Sequence, residues 1–199
     1  MQLPASPAPA RVLGLACSAA GGVEDVRERL VEPLLAAGWS VVVTATPAAA
    51  AWLADLGEDR RIAAATGYPL RSTPRLPREP RPHPDPHCWV VAPATAGTVA
   101  KLALGIADNQ AVTPVCEAIG ARAVPVVVHP RVRAGHLGHP AWPGHLAALR
   151  SAGVRVVEGE PDGDVAWDAV LREVEAVALG EWTAGRPDHL SKNVRSDTF

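Results

Sequence analysis

The sequence predicts an α/β fold: a three-layer, doubly wound parallel sheet of the Rossmann-like, flavodoxin-like kind, with helices on both faces. Three observations predict it. Short, β-branched apolar runs alternate with helix-length segments along the chain. The runs have the apolar character of strands buried on both faces. Small, hydroxyl-bearing loops follow the first three of them, where a parallel sheet binds its ligands. With 199 residues, 48% of them hydrophobic, the chain is long enough for one such domain and too short for two comfortable ones.

The elements follow in order. Residues 11–16 (RVLGLA) form the first strand, and the chain turns at Cys17-Ser18-Ala19-Ala20-Gly21-Gly22. A helix begins near Gly22 or Val23, with Glu24 and Asp25 in its first turn and Val23, Val26, Leu30 and Leu34 along one face. Gly38 stops it, and residues 39–44 (WSVVVT) form the second strand. The unit recurs: a helix at 47–56, a strand at 88–92, a helix from 98 to 106 and a strand at 124–128. A helix at 145–152, a strand at 154–157 and a helix at 165–179 complete the series. Prolines every two or three residues forbid helix and interior strand across 73–86, which must be an extended loop. Residues 1–10 are expected to be a disordered tail, 11–180 the domain, and 181–199 a polar, aperiodic C-terminal tail.

Composition narrows the function. A net charge of -2 and a pI near 6.4 provide no broad basic surface, so neither nucleic acid nor a membrane is an expected partner. No apolar run approaches the ~20 residues of a spanning helix, and the first ten residues lack the features of a signal peptide, which predicts a cytoplasmic protein. Cys17, Cys88 and Cys116 lie in apolar stretches and read as buried free thiols. His129, His136, His139 and His145 have no interspersed carboxylate or cysteine, so they read as loop histidines and no metal is expected.

The loops after the strands carry the candidate chemistry. Cys17, Ser18 and Ala19 open a run of small residues before a helix N-terminus, an arrangement that accepts phosphate through backbone N–H groups and the Ser18 hydroxyl. A tight turn with the same residues is the plainer alternative, and GxGxxG is absent. Thr44 and Thr46 end the second strand, with Thr46 also set to cap a helix whose first residue is Pro47. Thr95, Ala96, Gly97 and Thr98 end the third. Three such loops on one sheet edge exceed what independent turns would produce.

The stretch APATAGTVAKLALGIADN, residues 92–109, resembles the signature of the homo-oligomeric flavin-containing cysteine decarboxylases, the family of phosphopantothenoylcysteine and lanthipeptide cysteine decarboxylases. The resemblance extends over roughly residues 11–180. Ser18 falls at the family's first phosphate loop, Thr44 to Thr46 at its second flavin-contacting turn, and VVVHPRVRAGHLGHPAW at its Pro-Ala-Met-Asn clamp. TGYPLRS and HPAW also resemble stand-alone actinobacterial-type flavoproteins. The resemblance implies FMN as cofactor, a trimer or a multiple of trimers such as a dodecamer, a flavin near the subunit interface, and a small-molecule or peptide substrate bearing a carboxylate. It implies a cofactor set of Cys17, Ser18, Ala19, Thr44, Thr46, Thr95, Ala96, Gly97 and Thr98. The candidate substrate contacts are Asn109 and, in place of the family's clamp residues, Arg131 and Arg133. Their guanidiniums can bind a carboxylate or phosphate, with solvation or pairing to an acid elsewhere as the alternative.

The sequence departs from the family pattern where the chemistry lies. Gly97 stands at the motif asparagine, and Pro130-Arg131-Val132-Arg133 at the clamp. Glu79 falls near the family's histidine, leaving His83, then His87, as candidate bases. The substrate-covering loop and its reducing cysteine have no counterpart after the last strand. The expected function is therefore an FMN-binding flavoprotein, with oxidative cysteine decarboxylation as the first reaction. A flavin prenyltransferase-like enzyme, a non-catalytic FMN-binding or regulatory subunit, and an α/β module for another phosphorylated ligand are the alternatives.

Overall fold

The computed structural model describes residues 11–160 and 162–180, so the expected tails at 1–10 and 181–199 lie outside the described residues. Five strands pair in parallel in the order β2-β1-β3-β4-β5. They are β1 (Val12–Cys17), β2 (Ser40–Ala45), β3 (Cys88–Ala94), β4 (Val126–Pro130) and the short β5 (Arg155–Val156). Chain order reverses between β1 and β3, so the crevice at that junction is where such a sheet takes its ligand.

Strand side chains divide between two cores with period two, which is why the strands are apolar throughout. Leu13, Leu15, Val41, Val43, Val90 and Val127 face one core. It is covered by a 3-10 turn (Val23–Asp25), a π-helical segment (Arg27–Val31), α1 (Glu32–Ala36), α2 (Pro47–Asp55), α3 (Glu58–Thr66) and α8 (Trp167–Ala178). Ala16, Trp89, Val91, Val126 and Val128 face the other core, under α4 (Ala96–Leu104), α5 (Thr113–Ala121) and α7 (Trp142–Ser151). The short α6 (Ala134–Leu137) has no fully buried residue, and only Leu137 packs against that core. Gly14 makes room for the Trp89 indole, since a Cβ there would lie 2.5 Å from the ring.

Three features depart from the sequence expectation. The helix at 47–56 does not end the segment: Gly57, with φ of 70°, turns the chain into α3. There the buried Glu58 joins Arg27 and Arg61 at 2.7 and 2.6 Å. Burial raises the Glu58 pKa, but the two guanidinium groups outweigh it and hold the carboxyl below its usual range. Second, α5 forms from TPVCEAIGA, where no element is expected from the sequence, and buries Val115 and Ala118. Third, the Pro-rich loop starts from Arg71, whose backbone brackets Thr44 on the outer edge of β2 through Arg71 N–H to Val43 O and Ala45 N–H to Arg71 O. The loop is also not simply extended, because Glu79 N–H returns to Leu76 O at 3.0 Å.

Candidate functional site

A cleft of about 730 Å³ opens at the C-terminal ends of β1, β3 and β4. Its walls include Ala19, Gly21, Thr95, Ala96, Arg131 and Arg133 from the sequence-marked loops. The β1 and β3 loops are tied together. Ser18 N–H donates to Pro93 O at 3.0 Å, and Ser18 Oγ lies 2.8 Å from Thr98 Oγ1, which lies 3.1 Å from Thr95 Oγ1. Ser18, only 1% exposed, is thus one end of a hydroxyl chain that reaches the cleft at Thr95.

The donors left over face a ligand-sized space. Gly22 N–H is taken by Glu24 Oε2 at 2.9 Å, while the amides of Ala19 and Gly21 donate to no group among the described residues. Thr95 Oγ1 caps α4 by accepting from Thr98 N–H at 3.3 Å, and the Ala96 and Gly97 amides of that first turn have no intrahelical acceptor. Arg131 N–H donates to Ala94 O at 2.8 Å, holding this residue beside the β3 loop. Its Nε is buried and has no hydrogen-bond partner among the described residues. Such an orphaned donor at a cleft wall matches an anionic ligand group.

Other sequence-marked residues are used differently. Cys17 contributes only backbone, its carbonyl accepting Thr46 N–H at 2.9 Å; its side chain is in the core, and burial pushes the thiol up to about 12. Cys88 is likewise buried and pushed to about 12 by burial, while Cys116 is half-buried and raised by burial and nearby carboxylates. Thr44 is enclosed, with its hydroxyl 3.4 Å from Leu15 O. Thr46 caps α2 by accepting from Ala49 N–H. Gly97 is exposed, and a Cβ there would meet nothing within 4 Å. A side chain fits at this position, so what Gly97 lacks is an amide, not space.

Asn109 does not reach the cleft wall. Its Oδ1 accepts Ala111 N–H at 3.0 Å and its Nδ2 donates to Asp108, in the turn that starts α5. Lys101, 2.7 Å from Asp108, holds that carboxyl below its usual range, with the Asn109 amide also contributing.

The histidines separate widely. His87 precedes β3 at the sheet's opposite end, where its Nδ1 accepts Val12 N–H at 3.1 Å; within one protomer it is not available to the cleft. His83 lines a different pocket, under the Pro-rich loop. His129 is a buried strand residue rather than a loop histidine: Nδ1–H donates to Val157 O at 2.7 Å, and Nε2 accepts Ala166 N–H at 3.3 Å. Burial holds its pKa below the ordinary 6.5, with Arg131 adding to the depression and the Val157 bond opposing it. Among the described histidines, His136 alone is on the cleft wall, which Asp162 also lines. Sequence reasoning gave His136 no role and passed over Trp52, which stands 49% exposed on the same wall. An exposed Trp in an otherwise alanine-rich helix was the available signal. Among the described residues no His, Cys, Asp and Glu converge as a metal set, and no helix is long and apolar enough to cross a membrane.

The fold and this site define a doubly wound α/β protein with an anion-accepting cleft at its topological switch point. Residues 6–179 match the profile of the Flavoprotein family, and the chain belongs to that family. Among solved structures it is similar to TvaF, an FMN-dependent cysteine decarboxylase from thioviridamide biosynthesis, with 29% identity, a TM-score of 0.61, and coverage of 85% of this chain and 96% of that one. HAL3 from Cryptococcus neoformans shares the fold with a TM-score of 0.64 at 20% identity, over 87% and 99% of the two chains. A cysteine/cysteine sulfinic acid decarboxylase from an unidentified prokaryote is 39% identical over 70 residues, a match spanning 35% of this chain and 18% of that relative.

Proposed function

We propose that this flavoprotein holds FMN in the cleft and catalyses the oxidative decarboxylation of a cysteine carboxylate, at a peptide C-terminus or in a small conjugate. The single observation that carries the reading is the tie between the β1 and β3 loops, which leaves unused donors around one cleft. The donor set fits the cofactor: the Ala19 and Gly21 amides, the first turn of α4 and the Arg131 guanidinium are groups that a flavin phosphate needs. The likeness to TvaF along nearly its whole length supports the reaction.

Bound flavin would accept the hydride lost from the carbon that bears sulfur. The rest falls to side chains. A base must take the thiol proton, and a cation must orient the carboxylate until its bond to the α-carbon breaks, giving CO2 and an enethiol. Arg133, exposed on the cleft wall, suits the carboxylate, and His136 on the same wall is within the region where a base is required. We assign FMN to a site completed in a homo-oligomer, a trimer or a multiple of trimers, in which the exposed Trp52 and the distant His83 gain partners from a second copy. A native mass equal to one protomer would remove that part of the reading.

The test is mass spectrometry of a peptide ending in cysteine, incubated with FMN-loaded protein. The expected product has lost CO2 and two hydrogens; a recovered peptide of unchanged mass sinks the reaction. A second reading, an FMN-binding subunit without the chemistry, is favoured by Gly97, where no side-chain amide is available to a substrate. Yellow protein with unchanged peptide is its signature.

A further inference from the structure

We propose that His129 is a positioning residue that makes the ligand cleft proton-sensitive: the neutral ring ties Val157 to Ala166 and so holds the cleft's supporting contacts, and protonation opens the tie. The effect on ligand binding rests on the reading of the cleft as an FMN site; the tie itself does not.

The ring sits where the chain passes from β5 to α8. Val157 N–H donates to Val128 O at 2.9 Å, carrying the sheet one residue past β5. The chain leaves the sheet there and returns at Ala166, next to the first residue of α8. His129, 1% exposed, meets both ends. Its Nδ1 lies 2.7 Å from Val157 O, and its Nε2 lies 3.3 Å from Ala166 N. A carbonyl can only accept and an amide N–H can only donate, so one form satisfies both: the neutral ring with its proton on Nδ1. Between the two nitrogens Gly159 closes the same edge, since a Cβ there would stand 3.1 Å from Cε1. A second proton, on Nε2, faces the Ala166 N–H, donor against donor, and the bond is lost.

Two contacts carry the tie to the cleft. Val165, next to Ala166, packs on Gly22 so closely that a Cβ on Gly22 would stand 2.3 Å from Val165 Cγ2. Gly22 belongs to the β1 loop, whose Ala19 and Gly21 amides are the free donors of the site. Asp162 lines the cleft, with its Oδ2 3.4 Å from Ala134 N in the loop after β4. Opening the tie therefore loosens the support of the β1 amides and a carboxylate of the wall together.

The charges on the surrounding elements set the pH at which this happens. They are Arg131 beyond the ring's own strand, Glu158, Glu160, Asp162 and Asp164 between β5 and α8, Asp168 in the first turn of α8, and Glu24 and Asp25 on the 3-10 turn. Glu158 is paired with Arg150. Burial opposes a proton on the ring and Arg131 adds to it, while the Val157 bond favours one. The balance keeps the ring neutral below its ordinary range, so the tie is closed at neutral pH and opens in acid.

The test compares the wild type with His129→Gln, whose amide offers one donor and one acceptor and does not titrate. FMN affinity is measured by flavin-fluorescence titration at about pH 7.5 and about pH 5, on either side of the ordinary histidine value. Wild-type affinity is expected to fall about threefold or more beyond any fall in the variant, which is about half a pKa unit of coupling. The ligand phosphate's own ionisation, near about pH 6, is common to both proteins and cancels. In the wild type, hydrogen exchange with labelling times scaled for pH should show the Ala166 amide losing protection in acid while the Val127 and Val128 amides of β4 keep theirs. Equal pH dependence of FMN affinity in wild type and folded variant, or protection of Ala166 that persists in acid, overturns the proposal. Absence of FMN binding at both pH values fails the cofactor reading instead. In that case, or if the variant does not fold, exchange at Ala166 decides.

Discussion

The loops after β1 and β3 and the loop after β4 border the same cleft, yet they are built differently. The first two are bound to each other by a backbone bond and by the buried Ser18–Thr98 contact. The loop after β4 is anchored by Arg131 N–H at its start and then runs through the exposed Arg133, Ala134, Gly135 and His136. Asp162 stands on the far wall, between Val157 and Ala166, whose carbonyl and N–H bond the His129 ring. The difference teaches that the half whose free amides suit a phosphate is fixed by packing, whereas the half proposed to meet the substrate is exposed and open to change. Arg131, Val132 and Arg133 depart from the decarboxylase pattern in that half, while Gly97 departs at the one exposed position of the otherwise tied β3 loop and Glu79 in the Pro-rich loop.

Four substitutions break or sharpen this contrast. The largest effect is expected at Gly22, where φ is 92° and a Cβ would overlap Val165 Cγ2. Gly22→Ala should cost about 3 kcal/mol by denaturant unfolding, from left-handed backbone strain and overpacking combined.

His129→Ala should cost about 2 kcal/mol, because it leaves Val157 O and Ala166 N–H without their partner and opens a cavity. The wild-type protein also carries a pH signature at this residue. Its folded pKa lies below 6.5, so on acidification the unfolded chain takes up the proton first. Stability from this group is therefore complete above 6.5 and lost as pH falls below it toward the folded value. Urea midpoints measured against pH should show that slope in the wild type and a shallower one in His129→Ala.

Ser18→Ala removes the hydroxyl tie and should cost about 1 kcal/mol of stability. If the tie also shapes the cofactor site, flavin-fluorescence titration will give weaker FMN binding; unchanged FMN affinity would separate the tie from the cofactor. Gly97→Asn should change stability least, by less than about 0.5 kcal/mol, since the added side chain enters open space. Its effect is expected in the chemistry instead: more CO2 released from a cysteine-terminated peptide than by the wild type. Equal or lower release would mean that the missing amide is not what limits the reaction.

The sequence by itself determined the strands, the flanking helices and three of the loops that meet the ligand edge, because period-two burial and small residues at strand ends are local signals. It did not reveal α3 or α5, which are held by the Glu58 ion pairs and by burial of Ile62, Val115 and Ala118 in the two cores. Only the tertiary structure decided which marked residues share a space. Cys17 and Thr44 turned inward, because alternate residues of a doubly covered sheet face its cores. His87 lies at the wrong end of its strand, and Asn109 is spent in a turn. His136 and Trp52 reached the cleft because the chain segments that carry them converge at the switch point. Identity and spacing along a chain specify elements; which side chains share a cleft depends on how those elements cross, a property of contacts between residues far apart in sequence.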